Sequence, residues 1–317
     1  MATDIPNYKL TSGYDFPAIG YGTFGGPNAP SEVYEGTKHA LAAGYRHIDT
    51  AYIYETEEAV GKAIRESGID RKDLFITTKL FQTFHEPQHV RPALERSLKL
   101  LGLDYVDLYL MHWPFAWKFH GYEFKDLSYK DANGRRELID VSIVDTYRAM
   151  EELVKAGLVK SIGVSNFTIP MLEQISKECE IPPAVNQVEI HPSLPQEELL
   201  AYAKKQNIIL TAYSPLGNPG HRGKPVMLDH PAVLNAAKKY NTTPVQILLN
   251  WGVSRGYSVI PKSVTPERIK ANLTLIPLEK EDIEEITKIG REHPVRVCDP
   301  VRMHGPDHDI FNEANKA

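Results

Sequence analysis

Short apolar runs alternate with amphipathic segments along most of this chain. Strand-like runs occupy eight ranges: 18–21, 45–49, 74–78, 105–111, 159–164, 184–188, 208–213 and 257–260. A typical segment between them is 31–43, where Val33, Ala40 and Leu41 share one helical face and Gly44 follows. A strand followed by a helix, repeated eight times, indicates parallel strand pairing with right-handed crossovers.

Most of these runs stop at a polar residue. The seven residues are Asp49, Lys79, His112, Asn166, Gln187, Tyr213 and Lys262. An open doubly wound sheet would alternate in the same way, but it concentrates its site at a single switch point. Seven successive polar strand ends instead favour a (β/α)8 TIM barrel with its site at the carboxyl end.

Three segments depart from the regular repeat. Ranges 8–10 and 16–19, joined by a Ser12-Gly13 turn, predict a β-hairpin before the barrel. About 30 residues, rich in aromatic side chains, separate His112 from the next helix near Ile143, which favours a functional loop. The tail after Arg291 has no helical period, and we expect it to wrap over the site as a lid; a disordered terminus is the alternative.

Length and charge limit the possible classes of protein. The 317 residues suit one barrel domain over 1–317. A net charge of -5 argues against nucleic acid as a partner. The N-terminus lacks a signal-peptide pattern, and the most apolar stretch, 106–117, contains Asp107 and Pro114. We therefore expect a cytoplasmic protein that does not bind membranes, with Cys179 and Cys298 as free thiols.

Some local motifs fail in their context. Range 20–25 fits G-x-G-x-x-G, but residues 26–30 follow it where a dinucleotide fingerprint needs a helix. Tyr34 and Lys38 have the spacing of a dehydrogenase pair, yet they lie inside the first predicted helix as a solvated pair. Range 85–89 fits H-E-x-x-H, but Pro87 suits the first position of a helix over 87–101 and separates the two histidines. No metal site is expected.

The candidate acid or base is Tyr54, five residues past Asp49. Lys79, at the neighbouring strand end, would lower the pKa of the phenol: a cation at about 4 Å contributes on the order of 4 kcal/mol. Asp49 would hold the ammonium in place, and His112 would donate a hydrogen bond to the substrate oxygen.

These groups leave a carbonyl carbon without a nucleophile, and a hydride from a nicotinamide would supply it. Tyr213 could stack on the ring, while Ser165, Asn166 and Gln187 could bind its carboxamide. Each also has a structural explanation: Asn166 as a helix cap, Gln187 as a hydrogen-bonding group inside the barrel mouth, and Tyr213 as core.

Longer motifs strengthen this hypothesis. They are 44–51 (GYRHIDTA) leading to Tyr54, 77–80 (TTKL), 104–108 (DYVDL), 112–114 (HWP), 163–167 (GVSNF), 187–189 (QVE), 212–216 (AYSPL) and 260–263 (IPKS). Over roughly residues 8–300 the chain resembles an aldo-keto reductase of the aldose/aldehyde reductase type, similar to xylose reductases or glycerol dehydrogenases.

The resemblance implies roles for individual residues. It implies a catalytic tetrad of Asp49, Tyr54, Lys79 and His112, with Tyr54 as general acid. NADPH would lie extended across the barrel mouth, against Ser165, Asn166, Gln187, Tyr213, Ser214, Leu216, Lys262, Ser263, Arg268 and Asn272. Lys262, Ser263 and Arg268 would hold the 2'-phosphate, and two cations with a hydroxyl suit a dianion. The substrate pocket would comprise Phe24, Phe81, His112, Trp113 and Cys298.

Three departures from the family pattern bear on affinity and substrate. Ala271 stands where many members have a carboxylate, which implies a looser grip on the cofactor. Phe24 replaces a common tryptophan, and range 297–300 (VCDP) replaces the Phe-Asn-Asp-Pro of xylose reductases.

The resemblance implies NADPH-dependent reduction of aldehydes or aldoses, reversible as a polyol dehydrogenase, by a monomer or homodimer acting on a small carbonyl compound. The alternative is a cofactor-binding barrel without catalysis, acting as a redox-sensing or structural partner.

Overall fold

The computed structural model describes residues 5–25, 29–132, 134–217 and 227–312. Within them, β1 (Asn7–Lys9) and β2 (Asp15–Pro17) pair as an antiparallel hairpin. The barrel strands are β3 (Tyr21–Gly22), β4 (His47–Asp49), β5 (Phe75–Leu80), β6 (Val106–Met111), β9 (Val159–Ser165), β10 (Val185–Glu189), β11 (Ile209–Tyr213) and β12 (Ser258–Val259). All eight pair in parallel, in the order β12-β11-β10-β9-β6-β5-β4-β3.

The ends of this sheet meet and close the barrel. Ile19 forms a parallel bridge with Val259. Gly20 N donates to Val259 O at 2.9 Å, and Val259 N donates to Ala18 O at 3.0 Å. The predicted barrel is confirmed, although the outermost strands are shorter than the apolar runs that indicate them.

Helices follow the barrel strands and cover the sheet. They are α1 (Ala29–Ala43), α2 (Glu57–Ser67), α3 (Pro87–Leu101), α5 (Ile143–Lys155), α6 (Ile169–Glu178), α7 (Glu197–Lys205), α8 (Pro231–Lys239), α9 (Pro244–Arg255), α10 (Pro266–Ala271) and α11 (Lys280–Glu292). Sequence signals explain where these helices begin and end. Pro87 begins α3 as predicted, and Gly102, with a φ of 65°, ends it in the left-handed conformation. Helix α1 begins two residues before the predicted start, and residues 26–28 lie outside the described part.

The hairpin closes the amino-terminal end of the barrel. Leu10 and Phe16 pack with Phe75, which begins β5, and with Leu108 and Val185 from β6 and β10. A larger apolar cluster fills the space between the sheet and its helices. Because one end is filled by apolar side chains, a ligand has access from the carboxyl end.

The long segment after β6 and the tail both contain more regular structure than the sequence pattern indicates. The first contains β7 (Ala116–Trp117), α4 (Phe124–Leu127) and β8 (Leu138–Ile139), with β7 and β8 antiparallel. The tail contains α12 (Pro300–His304), a short helix that the absence of a helical period in the sequence does not indicate. Pro300 at the helix start and the Asp299 side chain accepting from Val301 N stabilise this single turn.

None of the described helices has both the length and the apolar character needed to cross a lipid bilayer. Both cysteines are free thiols.

Candidate active site

The polar strand ends converge at the open end of the barrel. Asp49 ends β4, Lys79 is the penultimate residue of β5, and His112 directly follows β6. They lie at or beneath a cavity of about 580 Å³ that is open to solvent. This volume is within the range of small-molecule and cofactor sites.

An ion pair forms the floor of this cavity. Lys79 Nζ lies 2.6 Å from Asp49 Oδ1 and donates to Thr50 O at 2.8 Å. Gln187 Nε2 donates to the second carboxylate oxygen of Asp49 at 2.7 Å. Burial alone would lower the pKa of Lys79, but Asp49 and Tyr54 raise it above its ordinary value. The lysine is therefore a fixed positive charge at neutral pH.

Tyr54 lies directly above this charge. It ends a 3₁₀ turn, Tyr52–Tyr54, and Glu55 then turns the chain with a φ of 56°. The ammonium of Lys79 is 5.0 Å from the centroid of the phenol ring. Burial raises the pKa of Tyr54, and Lys79 only partly opposes this. The expectation that Lys79 brings the pKa of the phenol below its usual value is wrong, because desolvation of the phenolate is the larger effect.

His112 forms the wall beside Tyr54. The two rings meet edge to face, with centroids 5.8 Å apart. Burial, Lys79 and His85 hold the pKa of His112 well below its ordinary value, so the imidazole is neutral. Its Nδ1 has no hydrogen-bond partner in the described residues. A neutral ring beside a phenol can donate one N–H to an oxygen bound between them.

Four of the expected cofactor contacts form one hydrogen-bonded group. Tyr213 Oη donates to Asn166 Oδ1 at 2.7 Å, and Asn166 Nδ2 donates to His112 O at 3.0 Å. Ser165 Oγ donates to Gln187 O at 2.7 Å. Asn166 does not cap α6, whose N-cap is Thr168, whereas Gln187 does hydrogen-bond inside the barrel mouth. The bonds fix the Tyr213 ring as a flat wall of the cavity.

The remaining expected cofactor residues divide into two groups. Ser214, Leu216 and Lys262 line the cavity. Ser263, Arg268 and Asn272 lie outside the cavity lining, on the segment from the end of β12 to the end of α10. Lys262 and Arg268 are exposed, and neither forms an ion pair within the part of the chain described here.

The expected substrate residues all line the cavity. Phe81 and Trp113 are buried, whereas Phe24 is 68% exposed at the rim, with its ring 5.1 Å from that of Tyr54. Burial raises the pKa of the Cys298 thiol to about 12, so this thiol is not a thiolate nucleophile.

Comparisons with known proteins agree with this geometry. The model of the "Aldo/keto reductase family" matches residues 18–291. The chain belongs to the aldo/keto reductase family.

Individual relatives are similar over nearly the whole length of this reductase. It is 43% identical over 290 residues to "Glycerol 2-dehydrogenase (NADP(+))" of Saccharomyces cerevisiae, covering 90% of each chain. It is 43% identical over 300 residues to "D/L-glyceraldehyde reductase" of Hypocrea jecorina, covering 90% of this chain and 88% of that one. The solved aldose reductase from Schistosoma japonicum has a TM-score of 0.89 and 40% identity, covering 98% of this chain and 100% of that one.

Sequence reasoning missed part of the cavity wall of this reductase. Trp117 and Arg136 come from the segment after β6, and Met303 and His304 come from α12. Trp117 Nε1 donates to His308 Nε2 at 3.0 Å, which joins that segment to the tail. The aromatic character of the segment is a signal for function, but it does not identify which side chains face the cavity.

Glu189, the last residue of β10, attaches the tail to the barrel. Its two carboxylate oxygens accept from Val297 N and Cys298 N, each at 2.7 Å, and Oε1 also contacts His191 Nε2 at 2.8 Å. Burial opposes ionisation, but His191 and the two backbone amides hold the pKa of Glu189 below its ordinary value. A charged carboxylate is therefore the anchor of the tail.

Proposed function

We propose that this aldo/keto reductase reduces aldehydes, including small aldoses, to alcohols with NADPH, and that it oxidises the corresponding alcohols or polyols with NADP⁺. The observation that supports this most strongly is the placement of Tyr54 and His112 at the cavity, with the charge of Lys79 beneath the phenol. The names of the relatives, a glycerol 2-dehydrogenase (NADP(+)) and a glyceraldehyde reductase, agree with it.

The residues of the cavity fit a nicotinamide dinucleotide phosphate. Tyr213 presents a fixed ring for stacking, and Asn166 and Gln187 present amide groups for a carboxamide. Lys262 and Arg268 are exposed cations without a carboxylate partner among the described residues, which suits a phosphate. When bound, the nicotinamide supplies a hydride to the carbonyl carbon.

Tyr54 donates the proton in this proposal. Its raised pKa keeps the phenol protonated at neutral pH, and an alkoxide is a stronger base than a phenolate. The phenolate left behind is stabilised by Lys79, whose ammonium lies 5.0 Å from the ring centroid. Two opposite charges about 5 Å apart, at an effective permittivity of about 20, attract each other by about 3 kcal/mol. Asp49 holds the ammonium at this distance.

His112 orients the substrate. Because it is neutral, it donates a hydrogen bond to the carbonyl oxygen without competing with Tyr54 as an acid. The oxygen would then lie between the imidazole and the phenol, and the carbon would face the nicotinamide.

The test is the variant Tyr54→Phe, assayed with NADPH and DL-glyceraldehyde by the loss of nicotinamide absorbance. We expect kcat to fall about 10²- to 10⁴-fold, the usual loss of a general acid, while NADPH still quenches tryptophan fluorescence. Tyr129→Phe, at a position that is 52% exposed, is the matched control and should keep its rate. A Tyr54→Phe enzyme with more than half of the original kcat would refute the assignment.

Tight NADPH binding without turnover of any aldehyde would favour the non-catalytic alternative. The oxidation of glycerol with NADP⁺ tests reversibility, and the ratio of kcat/KM for NADPH and NADH tests the preference for the phosphate.

A further inference from the structure

Arg136 is a further cation at the cavity, besides Lys79 and Lys262, and nothing in the proposed chemistry uses it. It precedes β8, whose Leu138 is paired with Trp117 of β7. The ladder continues where Lys118 N donates to Glu137 O at 2.9 Å. This register places the guanidinium over the Trp117 ring, 4.3 Å from its centroid, and both residues line the cavity.

The guanidinium is partly buried, and no anion among the described residues partners it. Arg136 Nε is inaccessible to solvent and has no hydrogen-bond partner, and no carboxylate among the described residues lies within ion-pair distance of the side chain. Burial lowers its pKa, but a guanidinium stays charged at neutral pH. A desolvated charge without a partner is destabilising unless a ligand supplies the opposite charge.

The neighbouring groups supply no anion. Burial, together with His308 and Arg136, lowers the pKa of His304 to about 4, so this ring is neutral. His308 Nε2 accepts from Trp117 Nε1. The acid on the cavity floor, Asp49, is already bound to Lys79 and Gln187.

Arg136 also lies away from the expected phosphate site. Strand β6, which precedes its segment, is four positions from β12 in the ring of eight strands, and Lys262 follows β12. Trp117 contacts Phe81, with ring centroids 5.6 Å apart, and so belongs to the side of the cavity expected to hold substrate.

We propose that Arg136, supported by Trp117, binds an anionic group on the aldehyde substrate, so that the enzyme prefers aldehydes bearing a carboxylate or a phosphate over neutral ones. The proposal rests on the proposed function and specifies its substrate class. A planar guanidinium recognises both kinds of oxyanion.

The test compares kcat/KM for matched pairs of substrates. The carboxylate pairs are succinic semialdehyde with 4-oxobutanamide and 4-carboxybenzaldehyde with 4-formylbenzamide, which differ in length. The phosphate pair is glyceraldehyde 3-phosphate with glyceraldehyde. We expect the wild type to prefer the anion in at least one pair, and the identity of that pair distinguishes carboxylate from phosphate.

Arg136→Gln should reduce the anionic-to-neutral ratio of kcat/KM about 10- to 100-fold, the usual range for a lost charge-assisted hydrogen bond. A general loss of activity would lower kcat/KM equally for both substrates of a pair and would leave this ratio unchanged. Arg135→Gln changes the net charge equally at an exposed neighbouring position and should leave the ratio unchanged, whereas Arg136→Lys should restore part of it. Added salt should weaken the preference.

Equal kcat/KM values within every wild-type pair would overturn the proposal and leave the proposed function intact. An unchanged ratio in Arg136→Gln would also overturn it, since Arg136 would then only pack on Trp117. Absence of turnover with all aldehydes, neutral ones included, would overturn both.

Discussion

Glu57 is a buried carboxyl that follows the turn containing Tyr54, and it should make folding depend on pH. It is the first residue of α2 and is 1% exposed. Its Oε1 accepts from Thr78 Oγ1 at 2.6 Å, and its Oε2 has no partner in the described residues. Burial raises the pKa of Glu57 from 4.5 to about 7, against smaller opposing effects of Thr78, Ser97 and Lys79.

The direction of this pH dependence follows from proton binding. Between pH 4.5 and 7 the folded protein holds a proton on Glu57 that the unfolded chain releases. The free energy of unfolding must therefore decrease as the pH rises through this window. At about 1.36 kcal/mol per pH unit between the two pKa values, the total decrease is about 3 kcal/mol.

Glu57→Gln removes this dependence and keeps the shape of the side chain. The amide oxygen still accepts from Thr78, and the new N–H faces Ser97. Relative to the wild type, the variant should gain about 2.5 kcal/mol in free energy of unfolding between pH 5 and pH 8. The measurement is urea unfolding at several pH values, followed by the fluorescence of the buried tryptophans.

Glu58→Gln, at an exposed position on the same helix, is the control and should not change the pH dependence. If the wild-type and Glu57→Gln stabilities stay parallel from pH 5 to pH 8, the carboxyl does not titrate in this window and the reasoning fails.

Three further substitutions test other contacts. Lys79→Met leaves Asp49 buried without its cation and should cost about 3–5 kcal/mol in urea unfolding; a loss below about 1 kcal/mol would contradict the role of the pair. Glu189→Gln leaves one oxygen for two tail amides, so KM for aldehydes should rise more than kcat falls in steady-state assays; an unchanged KM would show that the tail holds without the carboxylate. Gly61→Ala places a Cβ 2.1 Å from Leu101 O and should destabilise the α2–α3 contact by about 1–3 kcal/mol in thermal unfolding; a stabilised variant would show that the helices move apart freely.

The sequence pattern was sufficient for the barrel and for the position of most polar groups at its mouth. Asp49, Lys79 and His112 could be placed together because the carboxyl ends of parallel strands share one edge. The start of α3 could be placed because proline is favoured in the first turn of a helix. These features depend on local periodicity and on one topological rule.

Other features depend on contacts between distant segments. Arg136, Trp117 and His304 meet at the cavity although α12 follows the β7–β8 pair by more than half of the chain. No periodic pattern of hydrophobic and polar residues in the sequence indicates such a contact. The direction of the shift in the pKa of Tyr54 could not be predicted from the sequence either, because it depends on how much of the phenol is desolvated as well as on the charge of Lys79.

The attachment of the tail has a consequence for how relatives of this enzyme can diverge. The main-chain amides of residues 297 and 298 donate to the Glu189 carboxylate, so this part of the attachment does not depend on the side chains of Met303 and His304. Met303 and His304 line the cavity, and they can therefore be exchanged to change substrate selectivity while the Asp49–Lys79 ion pair on the cavity floor stays intact. Glu189 thus allows the residues of α12 to diverge independently of those on the barrel floor. Redesign of selectivity is therefore best begun at α12.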